Sequence, residues 1–321
     1  MDPGRRGSDA PPMNRAALVE AARLSMARGS RSFAAASRLF APATRERAWL
    51  LYYWCRACDD IADGQDHGGP LGPAAGTGAV AAMREKTALA LAGKPVGEAP
   101  FDALGLVAAE TGMPARFAFD VIDGFALDAA DWRPRHEEDL YRYCYHVAGA
   151  VGCMMAIVMG VDPRDTATLD RACDLGLAFQ LANIARDIGE DDAAGRCYLP
   201  VDWLVEMDMP PGEHMKPHHR PRLAVLAKRL AARAGRHEDS ARHGTPRLAF
   251  RSAWAVLAAA GIYGGIGREV ARRGEQAWDS RVTTSKAAKL GWIARAAVQA
   301  TRRAQWPADA PRPADLWTRP R

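Results

Sequence analysis

The sequence predicts an all-α protein, and three observations carry that reading. The chain is Ala-rich and 48% hydrophobic over 321 residues. Strand-like runs of Val, Ile, Thr and Tyr are scarce. Apolar residues recur at helical spacing between Pro and Gly boundaries. This length suffices for one large helical domain with a sizeable core, predicted over 14–304.

Residues 1–13 (MDPGRRGSDAPPM) carry Pro, Gly and charge without an apolar pattern, and read as a disordered leader. Helical pattern starts near Arg15 and runs to Ala92 with one break, the Gly/Pro-rich stretch 64–78. That loop reads either as a flexible connector or as a flap over a site. Further helices are predicted over 101–111, 114–129, 137–160, 165–192, 220–239, 246–274 and 284–304. Met113-Pro114 and Asp162-Pro163 mark boundaries, because Pro is tolerated in a first helical turn. The segment 193–219, with four prolines, reads as irregular. The Pro-rich tail 305–321 reads as extended along the surface.

The formal charge is +5, with basic residues gathered in the last third, including 220–237 and 267–273. Such helices suit a solvated exterior or an anionic lipid surface. No aromatic–basic stacking pattern or nucleic-acid motif is present, so nucleic acid is not an expected partner. Cys55, Cys58, Cys144, Cys153, Cys173 and Cys197 follow no secretory segment, which predicts free thiols in a reducing cytoplasm. The longest apolar run, 147–161, falls short of the ~20 residues a spanning helix needs. A soluble or peripheral protein is expected.

Two Asp-x3-Asp motifs carry the chemistry. The first is Asp59 and Asp63 in YYWCRACDDIAD; the second is Asp187 and Asp191 in QLANIARDIGEDDAAGRCYLP. Aspartates four apart on a helix share a face, about 6 Å apart along the axis. Tyr52 and Arg56 join the first face; Asp60 points away from it. Gln180 and Asn183 join the second face, with Arg186 beside it. A single such pair is most often a solvated surface charge. Two pairs, each following an apolar segment and each near an arginine, point to hard oxygen ligands for Mg²⁺ and a polyanion. Ser30, Arg31, Ser32, Arg196 and Tyr198 supply phosphate-binding hydroxyls and guanidinium groups. On 139–160, Tyr143, Val147, Val151 and Met154 fit the wall of an apolar channel. The small residues Ala148, Gly149, Ala150 and Gly152 fit either such a channel or close helix packing. Ala34, Ala35, Ala36 and Ser37 are small enough to leave room for a long ligand tail.

Other motifs weigh less. Cys55-x2-Cys58 lacks a second pair, so zinc is not expected. His146 reads as a packed or hydrogen-bonded histidine. His214, His218 and His219 sit in a Pro-rich loop. The glycines 261–267 follow no strand, so they form no dinucleotide site or P-loop, and no NADPH requirement is expected.

The stretches GSRSFAAASRLF, YYWCRACDDIAD, YCYHVAGAVG, RACDLGLAFQLANIARDI and CYLP resemble the squalene/phytoene synthase family, from about Arg15 to the Pro-rich tail. The resemblance implies an isoprenoid synthase helical bundle around a central cavity. It implies Mg²⁺, with Mn²⁺ as a substitute, held by Asp59, Asp63, Asn183, Asp187 and Asp191. It places Ser30, Arg31, Ser32, Tyr52, Arg56, Arg186, Arg196 and Tyr198 at the diphosphates. Many relatives carry Lys at the position of Arg31. Tyr143 and Tyr263 fall near the reacting carbons, and Ala34, Ser37, Val147, Val151 and Gln180 along the substrate channel. The implied reaction joins two geranylgeranyl diphosphates head to head through a cyclopropyl intermediate, in carotenoid biosynthesis. Peripheral contact with the inner membrane face and with other carotenoid-pathway enzymes is expected. The competing readings are a C30 synthase using farnesyl diphosphate and a non-catalytic helical assembly protein of the same fold.

Overall fold

The computed structural model describes residues 14–29, 31–63 and 77–321; the side chains of Arg31, Ser32, Ala35, Asp63 and Thr77 fall outside that description. The predicted leader, Ser30 and residues 64–76 of the predicted flap also lie outside the described residues. The described chain holds thirteen α-helices and no strand. They are α1 (Arg15–Gly29), α2 (Arg31–Ser37), α3 (Pro42–Asp63), α4 (Thr77–Leu91), α5 (Ala99–Thr111), α6 (Ala115–Ala129), α7 (Glu137–Cys144), α8 (Ala150–Val158), α9 (Thr166–Ala193), α10 (Val201–Glu206), α11 (Arg220–Arg242), α12 (Phe250–Arg273) and α13 (Lys286–Thr301).

The longest helix, α9, has 28 residues, roughly 42 Å. Asp165 caps it by accepting the Thr168 N–H, so the turn after Asp162-Pro163 sets its start. Leu169, Cys173, Leu177, Leu181, Ile184 and Ile188 are buried along it, and the helix packs against α8, α11 and α12. On the other side of the molecule, α3 packs on α1, α4 and α5. Trp54, Phe101, Phe117 and Leu104 are fully buried there. Each such side chain stabilises the fold by about 1.5–3 kcal/mol.

Besides α10 within the segment read as irregular and the break between α2 and α3, two features differ from the sequence reading. The helix expected over 137–160 is interrupted by a π-turn, Tyr145–Gly149, where the Ala150 N–H reaches back to the Tyr145 carbonyl. Steps of four residues drift around an α-helix, and a wider turn subtracts that drift. Tyr143, Val147 and Val151 therefore stay on one side and line the same cavity. The small residues of this segment serve close packing: a Cβ on Gly152 would lie 2.4 Å from the Ala172 carbonyl oxygen, and one on Gly176 2.3 Å from that of Ala148.

The Pro-rich tail is the second difference. It is docked rather than simply extended over the surface. Leu316 and Arg319 are buried. Trp317 stacks on Tyr141 and donates its indole N–H to Glu138. Arg312 grips both oxygens of Asp174 on α9 at 2.6 and 2.8 Å, while Arg319 and Arg321 meet Asp170 one turn earlier.

Candidate active site

A cavity of about 440 Å³ opens between α3, α6, α8 and α9. Its wall collects Tyr52, Arg56 and Asp59 from α3, and Gln180, Asn183, Asp187 and Asp191 from α9. Tyr143, Val147 and Val151 come from the α7–α8 segment, and Arg196 and Tyr198 from the chain after α9. The two aspartate helices thus face one space, as their spacing predicts. Asp63 belongs to the same α3 face by register, but its side chain is outside the described residues, as are those of Arg31 and Ser32.

The carboxylates are already engaged with guanidinium groups. Arg56 pairs with Asp59 at 2.8 Å and with Asp60 at 2.5 Å, so Asp60 is tied to the same arginine rather than left to solvent. Arg186 grips its neighbour Asp187 through both oxygens, at 2.7 and 2.5 Å, and is absent from the cavity wall. Burial, with Asp187 next in effect, pushes the Asp191 carboxyl up to about 7; Arg196 partly opposes this. Crowded, desolvated carboxylates of this kind favour a proton or a cation between them. Asn183 points the same way: its Oδ1 is buried with no hydrogen-bond partner. Asn183, Asp187 and Asp191 stand at i, i+4 and i+8 on one helix, an all-oxygen donor set that fits a hard divalent cation.

Several residues expected at the site meet a different setting. Ser37 is buried away from the cavity wall, its hydroxyl donating to the Ala34 carbonyl at 2.8 Å and accepting from Trp49 Nε1 at 3.0 Å. Ala34 is likewise absent from that wall. Tyr263 stacks on Phe179 with centroids 4.4 Å apart, outside the lining. His146 donates its Nδ1–H to the Asp120 carbonyl oxygen at 2.8 Å, the hydrogen-bonded role expected of it. Cys55 lines the cavity, but burial pushes its thiol up to about 12, which keeps it protonated and unreactive.

Other residues had no sequence signal. Asp128 on α6 accepts the phenol hydrogens of Tyr143 (3.1 Å) and Tyr198 (3.0 Å), whose rings stack 4.7 Å apart. Burial first, and Asp128 second, hold the Tyr143 phenol well above its ordinary range. Arg281 reaches Asp187 at 3.1 Å and also pairs with Glu190. Val121, Phe125 and Ile184 complete the apolar wall. A separate group, Asp120, Asp123 and His146, gathers donor atoms within 4.8 Å. Its members are absent from the cavity wall, and Tyr145 and Arg84 already bind its two carboxylates.

Residues 26–288 match the squalene/phytoene synthase family model. A phytoene synthase of Pseudescherichia vulneris is 46% identical over 96% of this chain and all of its own length. A 15-cis-phytoene synthase of Pantoea ananas is 45% identical over the same shares. Among solved structures, a dehydrosqualene synthase bound to a ligand superposes with a TM-score of 0.80 at 24% identity, covering 90% of this chain and 98% of the other. That likeness shows a shared isoprenoid synthase helical fold. Because the match runs through both aspartate helices and nearly the whole chain, this protein belongs to the squalene/phytoene synthase family.

Proposed function

We propose that the protein is a phytoene synthase, a prenyltransferase of carotenoid biosynthesis that joins two geranylgeranyl diphosphates head to head. The observation that carries this reading is the single cavity with both aspartate helices on its wall and an aliphatic lining beside them. The near-full-length identity to named phytoene synthases supports the chain length of the substrate.

In this reading Asp59, Asp63, Asn183, Asp187 and Asp191 hold Mg²⁺, and Mn²⁺ can replace it. When bound, the metal supplies Lewis-acid stabilisation of the diphosphate charge. Ser30, Arg31, Ser32, Tyr52, Arg56, Arg186, Arg196 and Tyr198 bind the two diphosphates, with Arg281 a further guanidinium at the rim. On binding, Arg56 and Arg186 would exchange carboxylate partners for the leaving diphosphate and stabilise its charge. Val121, Phe125, Val147, Val151 and Ile184 exclude water from the allylic cations, which water would quench. Gln180 contributes a polar contact at the boundary between the charged and apolar ends. Tyr143 acts as a neutral phenol, because its proton is committed to Asp128. In this reading the released diphosphate, rather than a tyrosinate, accepts the final proton.

No described helix is long and apolar enough to cross a membrane. Because its substrate and product are lipophilic, we place the enzyme on the cytoplasmic side, in contact with the bilayer surface and with other carotenoid-pathway enzymes.

The test uses purified protein, Mg²⁺ and either geranylgeranyl or farnesyl diphosphate, without nicotinamide. A C40 hydrocarbon from the C20 substrate, identified by mass, is the expected product. A C30 product alone would overturn the chain-length assignment. No product from either substrate would favour a non-catalytic role.

A further inference from the structure

The outward face of α13 is apolar where a solvated helix would be polar. Its inner face is fixed to α12: Ala296 and Ala300 are buried, and Trp254 donates its indole N–H to the Ile293 carbonyl at 2.8 Å. Trp292 packs so closely on α12 that a Cβ at Gly261 would lie 2.3 Å from its ring. The opposite side carries Ala287, Leu290, Gly291, Ala294 and Val298, all exposed. These positions fall within one stripe at helical spacing. Leu290 is 67% and Val298 54% exposed, which is unusual for large aliphatic side chains.

The border of this stripe is basic. Between Asp279 and Asp309 the chain has no acidic residue, while Lys286, Lys289, Arg295, Arg302 and Arg303 lie on or just beyond α13. Among the described residues, no carboxylate pairs with Lys286, Arg295 or Arg302. Arg295 instead lies over the Trp292 ring, 5.4 Å from its centroid. An aliphatic stripe with cationic borders complements acyl chains below anionic headgroups. It does not complement itself: pairing two copies through this face would set basic borders against each other.

We propose that α13 is the surface by which the protein docks on an anionic lipid bilayer. The proposal rests on the prenyl-lipid reading of the cavity and names where the bilayer lies. Arg281, which touches the second aspartate motif, precedes α13 by five residues, at most about 18 Å of chain. Docking through α13 therefore sets the charged end of the cavity near the headgroups.

Vesicle flotation of the full-length protein tests this. Wild type is expected to float with phosphatidylglycerol/phosphatidylcholine vesicles far more than with pure phosphatidylcholine, and less so at 0.5 M than at about 0.1 M salt. The Leu290→Glu/Val298→Glu variant should lose flotation about tenfold or more, and Lys286→Gln/Arg302→Gln severalfold. Both should keep wild-type melting temperature and wild-type turnover of detergent-dispersed substrate, so a failure of the catalytic reading stays separable from a failure of docking. Equal flotation of wild type and the Leu290/Val298 variant would overturn the proposal, as would absence of wild-type flotation. A wild-type dimer that this variant breaks into monomers, seen by sedimentation, would also overturn it and assign the face to a second copy.

Discussion

Replacing Asp187 with alanine lowers turnover about 10³-fold or more while the protein stays folded. The size of the effect follows from what meets at this side chain. Asp187 lies on the α9 face shared by Asn183 and Asp191, and both Arg186 and Arg281 reach it. In the proposed reading its loss removes a cation ligand; it also leaves Arg186 without its carboxylate and Arg281 with Glu190 alone. Asp192 is the internal control. It is the very next acidic residue after Asp191 but pairs with His214 at 3.4 Å and is absent from the cavity wall. Asp192→Asn should change turnover by less than about threefold, because it leaves the residues of the cavity wall unchanged. Steady-state kinetics with circular dichroism on both variants decides the matter. Equal losses would mean that total acidity in this stretch, not the face, sets activity.

Replacing Arg312 with alanine destabilises the fold by about 3–5 kcal/mol, the cost of leaving a buried charge without its partner. Asp174 is fully buried and accepts from Arg312, from Ser240 at 2.5 Å and from His237 at 2.8 Å. Burial pushes its carboxyl up, but Arg312 and His237 outweigh burial and hold it below the usual carboxylate range. A depressed carboxyl contributes stability that is present above the unfolded value, about 3.9, and is lost as pH falls through the folded value. Without Arg312 the same burial disfavours the anion, so the deficit is greatest near neutral pH. The melting temperature should fall by roughly 5–10 °C at pH 7, with a smaller gap to wild type at pH 5. A gap that widens on acidification would contradict this account of Asp174.

These two sites also show what could be read from residues in order. The α9 face was legible because Asn183, Asp187 and Asp191 repeat every four residues within a single helix. Val147 and Val151 were legible for the same reason, although the π-turn that keeps them aligned with Tyr143 was not. Arg312 was not legible. Its partner lies 138 residues away, and a Pro-rich composition describes backbone habit without describing what an arginine within it touches. Asp128 escaped notice because it joins Tyr143 and Tyr198 only through the packing of α6 on the α7–α8 segment. Ser37 shows the opposite case. Small residues suggested space for a ligand, whereas its hydroxyl is occupied by Ala34 and Trp49.

In the proposed mechanism the two aspartate helices act together on one metal–diphosphate group. Calorimetric titration of inorganic diphosphate into wild type, Asp59→Ala and Asp187→Ala, each with and without Mg²⁺, tests it most directly. Wild type is expected to bind diphosphate only with Mg²⁺, and both variants to lose that binding. Binding that ignores Mg²⁺, or that survives the loss of either aspartate, would contradict it.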